Sequence, residues 1–256
     1  MKIESPELHK EGSEVIEIPQ VDALAIIGHS IEKDATRGWI PTRLIQKMDA
    51  GKRRTGVRER GLSPNDDVSY VGGGNVVALA AAEAYDALTA RGIPPKAVSV
   101  VPGRPLYLEK APPEVNEGDI MLKEFNSKAN EIPENIITLG VAKNTASELE
   151  EHLKMCVERG YKSIGFVLLD LRIGRAEALI DRLKAEHKEF SYIETHCISA
   201  ENLLRHRYKD NPSRLATFEK MLADFTASKA YEKTVADEKG GAEAIRKGTY
   251  KGKGNY

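Results

Sequence analysis

An α/β fold built on a parallel sheet is predicted by three observations. Short apolar runs alternate with helical patterns, each run ends in a polar hinge, and each hinge opens the next helix. Parallel neighbours need crossover connections of this kind. The runs that set the rhythm are 97–101, 135–141 and 163–169. They end in Pro102-Gly103-Arg104-Pro105, in Lys143-Asn144-Thr145 and in Asp170-Leu171-Arg172. Ligands of such sheets bind beyond the carboxyl ends of the strands. The three hinges are therefore expected to gather at one edge, as a site rich in Arg, Lys, Asn and Thr.

The elements follow in order. Residues 1–20 read as an N-terminal leader with a short extended piece, Val15-Ile16-Glu17-Ile18-Pro19. Residues 22–28, Asp-Ala-Leu-Ala-Ile-Ile-Gly, form a continuous apolar run bounded by turn residues, which reads as a buried central strand. Residues 29–74 form a long inserted connection with Trp39, a basic cluster (Lys52, Arg53, Arg54, Arg58, Arg60) and a short helix around 41–48. A connection of this length is usually functional or mobile. Gly72-Gly73-Gly74-Asn75 leads into a helix over 76–91, with apolar residues at helical spacing and Gly92 as its stop. Next come the strand at 97–101, a helix over about 115–128, the strand at 135–141 and a helix at 145–159 that stops at Gly160. The strand at 163–169, a helix at 175–187 and a fifth strand at 191–197 complete the set. Residues 212–234 read as helical, and the basic, glycine-rich tail as loose. The division is an α/β domain over 21–200 and a helical C-terminal extension over 201–256.

The chain is 41% hydrophobic and 30% charged, as expected of a soluble protein with a substantial core. A formal net charge of −1 gives no argument for a nucleic-acid or membrane partner. No run approaches the roughly 18 apolar residues of a membrane span, and the N-terminus lacks the apolar core of a signal peptide. A cytoplasmic location is the expectation. Cys156 and Cys197 fit a reducing compartment, and neither has C-x-x-C spacing.

Gly73, Gly74 and Asn75 carry two readings. Glycines ahead of a helix let backbone N–H groups approach an anion. A plain turn with Asn75 as N-cap explains them equally well. The spacing fits neither a Walker loop nor the G-x-G-x-x-G fingerprint, and no strand is expected directly before it. Thr145-Ala146-Ser147-Glu148 has the form of a capping box, and a ligand role for Lys143 and Asn144 is compatible with it. Arg172 and Arg175 suit a phosphate or carboxylate, since guanidinium binds such groups bidentately; an internal ion pair with Asp170 is the competing account. Gly103 and Arg104 offer close approach and one charge. Gly28 and His29 follow the first strand, so His29 is a candidate proton carrier, as is Asp170. The remaining histidines lack metal-ligand spacing, and no metal is expected.

The order and spacing of these pieces resemble the YdcF/SanA/ElyC family of bacterial α/β proteins, over about residues 22–176. The likeness rests on the strand 22–28 and on Leu88-Thr89-Ala90-Arg91-Gly92. It continues through the glycine turn after 98–101, Glu117 with Met121, Asn144-Thr145 and Arg175-Ala176. The chain departs from the pattern at Pro102-Gly103-Arg104 (family Ser-Gly-Gly), at Ala142 (serine), around Ser147-Glu148 (Glu-Asn) and at Arg172 (histidine). The resemblance implies a three-layer Rossmann-like fold with a mostly parallel sheet of about five strands and a cleft at the strand ends. One member is associated with S-adenosylmethionine, so that compound or another nucleotide is the cofactor the resemblance suggests. The substituted hinges make the expected pocket more basic than the family's.

Two functions from different classes follow. The first is binding of a nucleotide-like or phosphorylated small molecule by Gly28, His29, Gly73, Gly74, Asn75, Gly103, Arg104, Asn144, Thr145, Arg172 and Arg175, with transfer or hydrolysis as the chemistry if the ligand is turned over. The second is a non-catalytic interaction or regulatory module that has lost the family's pocket residues.

Overall fold

The computed structural model describes residues 17–28, 31–34, 36–47, 69–103, 114–142 and 144–250. A five-stranded, all-parallel sheet forms the centre. Its strands are β1 (Ala23–Ile26), β6 (Ala97–Val100), β7 (Ile136–Thr138), β8 (Ser163–Leu168) and β9 (Glu194–Ser199), in the order β7-β6-β1-β8-β9. Ala23 of β1 lies opposite Ala97 on one side and Ile164 on the other. The chain thus grows outward from β1 through β6 and β7, then returns to the far side of β1 for β8 and β9. That reversal falls at the carboxyl ends of β1 and β8, the place where ligands of open α/β sheets bind.

Alternation along β1 feeds two cores. Leu24 and Ile26 face one cluster, which holds the alanine-rich α1 (Gly74–Ala90), Met121 and Phe125 of α2 (Glu117–Asn126), and Leu203 of α5 (Ala200–Tyr208). Ala23, Ala25 and Ile27 face the other, with Leu149 and Leu153 of α3 (Thr145–Arg159) and Leu179 and Ile180 of α4 (Asp170–Glu186). A central strand buried on both faces has no polar alternation, so β1 is apolar throughout. The result is the three-layer, Rossmann-like α/β architecture. The last helices complete it: α6 (Pro212–Thr226) and α7 (Lys229–Arg246). Ala230 at the start of α7 joins the first core, whereas Ala242 and Ile245 near its end join the second. No helix among the described residues is long and apolar enough to cross a membrane.

Several boundaries differ from the expectations. The stretch 41–48 holds no helix among its described residues. β3 (Gly38–Pro41) pairs antiparallel with β2 (Ile31–Asp34), and β4 (Ile45–Lys47) pairs antiparallel with β5 (Ser69–Val71). Ile40, Ile45 and Trp39 are better strand than helix formers, and pairing satisfies their backbone. β5 runs straight into Gly72, so a strand does precede the glycine run. α4 begins at Asp170 rather than 175, because Glu201 of α5 accepts the Asp170 N–H at 3.0 Å and supplies a cap from outside the helix. A short 3₁₀ turn at Lys188–Phe190 delays the last strand to 194. The helical stretch from 212 breaks at Ala227-Ser228, where the Ser228 hydroxyl accepts from Tyr231 N–H and opens α7.

Candidate functional site

Helix starts surround the carboxyl ends of β1 and β8. Gly28 follows β1, and its N–H donates to Glu148 Oε1 at 2.8 Å. Glu117 opens α2, anchored by its N–H to Gly103 O at 2.8 Å. The Glu117 carboxyl lies over Gly28: a Cβ there would sit 3.0 Å from its Cδ. Gly118 lets the first turn of α2 abut the Val101 carbonyl, which a Cβ would meet at 2.5 Å. The two glycines thus let two carboxylates converge on the end of the central strand.

Burial pushes the Glu148 carboxyl up to about 8, with the charge of Glu117 adding to it; the Gly28 N–H and the Arg172 charge oppose the rise. Glu148 therefore exchanges its proton near neutral pH, the range a general acid or base needs. Arg172 lies in the first turn of α4 and is half-buried. Burial pulls its guanidinium below the ordinary range, and Glu238, Glu117 and Glu148 push back. It stays charged, as arginine does in proteins. Its buried Nε has no hydrogen-bond partner. Arg175, one turn on, is held from α7: Nη1 meets Glu238 Oε2 at 3.5 Å and Nη2 donates to the Tyr250 hydroxyl at 2.6 Å.

Of the residues expected at the site, Gly28, Gly103, Arg172 and Arg175 are brought together with Glu117 and Glu148. Asn144 and Thr145 lie at the start of α3, where Asn144 is the N-cap. Its side chain accepts from Ser147 N–H at 3.0 Å, and Ser147 Oγ accepts the Asn144 N–H. The capping box thus forms one residue earlier than the Thr145–Glu148 pattern suggests, and Glu148 turns inward instead. Asp170 is exposed at the start of α4. Gly73, Gly74 and Asn75 face a different neighbour. The N–H groups of Gly72, Gly73 and Asn75 bond to the carbonyls of Leu44, Arg43 and Thr42. Gly74 N–H reaches the Thr42 hydroxyl at 3.4 Å. The N-cap of α1 is Gly73, not Asn75, with φ 109°; a Cβ on it would lie 2.6 Å from Leu169 Cδ1. The glycine run is shaped by packing, and its donors are taken. His29, Arg104 and Lys143 lie outside the described residues.

Sequence reasoning passed over Glu148, Glu201, Glu238 and Tyr250 as site residues. Glu148 stands four residues before His152 and seven before Met155, in line with the buried stripe of α3, which is the signal that would have found it.

Two other polar groupings are paired within themselves, although His152 Nε2 in the first and Asp86 Oδ2 in the second are buried without a hydrogen-bond partner. Ser99 Oγ and His152 Nδ1 lie 2.9 Å apart, fully buried between β6 and α3. Burial holds His152 down to about 3, and with no access from solvent the pair is a core hydrogen bond. A polar cleft of about 290 Å³ between α1, α5 and α6 holds Glu83, Asp86, Arg207 and Arg214. There Glu83 pairs with His206 at 2.7 Å and Arg207 at 3.1 Å. Among the described residues no group of His, Cys, Asp and Glu is arranged to hold a metal ion.

Neither a family model, nor a curated protein, nor a solved structure matches the chain.

Proposed function

We propose that this chain is a cytoplasmic protein of the YdcF/SanA/ElyC type that binds a nucleotide-like or phosphorylated small molecule between the carboxyl ends of β1 and β8. The observation that carries the reading is the buried Arg172 Nε–H without an acceptor, set at the strand-order reversal among Glu117 and Glu148. A buried donor left unmade is costly, and an acid oxygen of a ligand would satisfy it with a charge-assisted bond. If the ligand is turned over by transfer or hydrolysis, Glu148 is the group placed to carry the proton, ahead of the exposed Asp170. The resemblance over residues 22–176 supports the same edge of the sheet. The free thiols of Cys156 and Cys197 fit a reducing compartment.

The test is thermal denaturation with adenosine compounds, nucleotides and sugar phosphates. A ligand at a hundredfold excess over its Kd stabilises by about 2.7 kcal/mol, roughly 5–10 °C for a chain of this size. Arg172→Met should abolish the shift. No shift with any member of the panel would defeat the reading in favour of a non-catalytic interaction module.

A further inference from the structure

We infer that Arg172 and Arg175 form a subsite for the acidic group of a ligand, and that Glu238 of α7 occupies this subsite as a built-in competitor. The inference rests on the binding reading above and names the chemistry of one part of that site.

Four observations carry it. First, two guanidinium groups stand one turn apart at the start of α4, and the buried Nε of each lacks a hydrogen-bond partner. Two neighbouring arginines with unspent donors are what a multi-oxygen acid such as phosphate needs. Second, Glu238 meets these charges poorly. Its carboxylate reaches Arg175 Nη1 at 3.5 Å, long for a charge-assisted bond, which is typically about 2.7–2.9 Å. Third, Glu238 is buried on the arginine pair rather than waving in solvent. Its side chain is 14% exposed, and that of Arg175 28%. Its charge is also foremost among those that sustain the positive charge of Arg172. Fourth, α7 is shaped to lie here. Gly241 sits where Arg175 passes, and a Cβ there would meet Arg175 Cδ at 3.3 Å and Nε at 3.4 Å. Tyr250, beyond the helix, bonds Arg175 Nη2 and lays its ring 5.5 Å from the guanidinium carbon.

A single carboxylate therefore holds, at long range, a pair of arginines able to make several short bonds. A ligand carrying phosphate or carboxylate oxygens would displace the Glu238 side chain and recover the unspent donors. While Glu238 is charged, it competes with every such ligand and repels it.

Isothermal titration of inorganic pyrophosphate at fixed ionic strength reads this directly, using the full chain, Glu238→Gln and Glu238→Asp. Glu238→Gln removes the competing charge and keeps the helix and the side-chain length; binding about tenfold tighter than the unmodified chain is expected, within the usual range of site coupling. Glu238→Asp keeps the charge but draws it back by one methylene, and an intermediate affinity is expected. It also serves as the informative variant if the Gln form does not fold. Adding Arg172→Met to Glu238→Gln should return binding to background. Equal or weaker pyrophosphate binding by Glu238→Gln, or by Glu238→Asp where only that variant folds, overturns the inference. The two readings fail separately. An unmodified chain that responds to nucleotides, with no gain in Glu238→Gln, removes the competitor but not the site. An unmodified chain that responds to nothing, beside a Glu238→Gln form that binds pyrophosphate, defeats the ligand-binding reading of the unmodified chain and leaves the arginine subsite with its competitor standing.

Discussion

Glu148→Gln should stabilise this protein at alkaline pH and leave it unchanged in acid. In the folded chain the Glu148 carboxyl is pushed from 4.5 to about 8, by burial and then by Glu117. The folded state thus holds the proton more tightly than the unfolded chain. Its contribution to stability is complete below the unfolded value and is lost as pH rises through the folded one. At about 1.4 kcal/mol per pH unit the span corresponds to about 5 kcal/mol. That is an upper bound, because the charge of Glu117 is coupled to that of Glu148. Glutamine carries no charge to bury, and its amide oxygen can still accept the Gly28 N–H. We expect the variant to exceed the unmodified chain by about 3 kcal/mol at about pH 9, and to match it at about pH 4.5. The difference amounts to roughly 6–12 °C in Tm. Urea denaturation of both proteins across that range is the assay. Parallel stability curves, with one constant offset, would show that Glu148 is not held protonated and would refute the reasoning.

Further outcomes follow from the same geometry. Glu201, buried and raised to about 7 by burial and by the Asp170 charge, should behave alike. Glu201→Gln is expected to gain about 2–3 kcal/mol above neutrality and nothing in acid, read by thermal melts against pH. Ser99→Ala should cost about 1–3 kcal/mol in urea denaturation by leaving the His152 Nδ1 unpaired in the core. Gly73→Ala, which needs a positive φ and strikes Leu169, should cost about 2–4 kcal/mol. Gly240→Ala, inside α7 with open space around it, should instead stabilise by about 0.5–1 kcal/mol, measured by the same denaturation.

The sheet was readable in the sequence wherever local pattern and tertiary role agree. The apolar runs at 97–101 and 163–169 fall on β6 and β8, and the 145–159 helix, with Gly160 in the left-handed region at φ 68°, is where its pattern puts it. Misplacement came where a distant residue decided the matter. Asp170 is drawn into α4 by Glu201, thirty-one positions away, which no local window contains. Strands β2 to β5 are three or four residues long, too short to show a period. The site was legible in outline, because hinges follow strands, and Arg172 and Arg175 were visible as charges at one. Its acidic half was not. Glu148 matched a cap pattern that Asn144 and Ser147 satisfy, and Glu238 lies in a helix far along the chain. An arginine-rich hinge therefore reads as more basic in sequence than the charge-balanced cluster it forms in space.

The position of β1 has a consequence for how the chain is made. This strand is apolar on both faces and pairs with β6 on one side and β8 on the other. Asp22, at its entrance, contacts Ser163 across a separation of 141 residues. At synthesis rates of about 5–20 residues per second, β1 waits roughly 7–30 s for its second partner. During that interval a sticky, two-sided strand has one edge uncovered, the kind of exposure that invites mispairing. The centre of the finished sheet is thus the part of the nascent chain that stays incomplete longest, and shielding it during translation matters more for yield than any contact at the periphery.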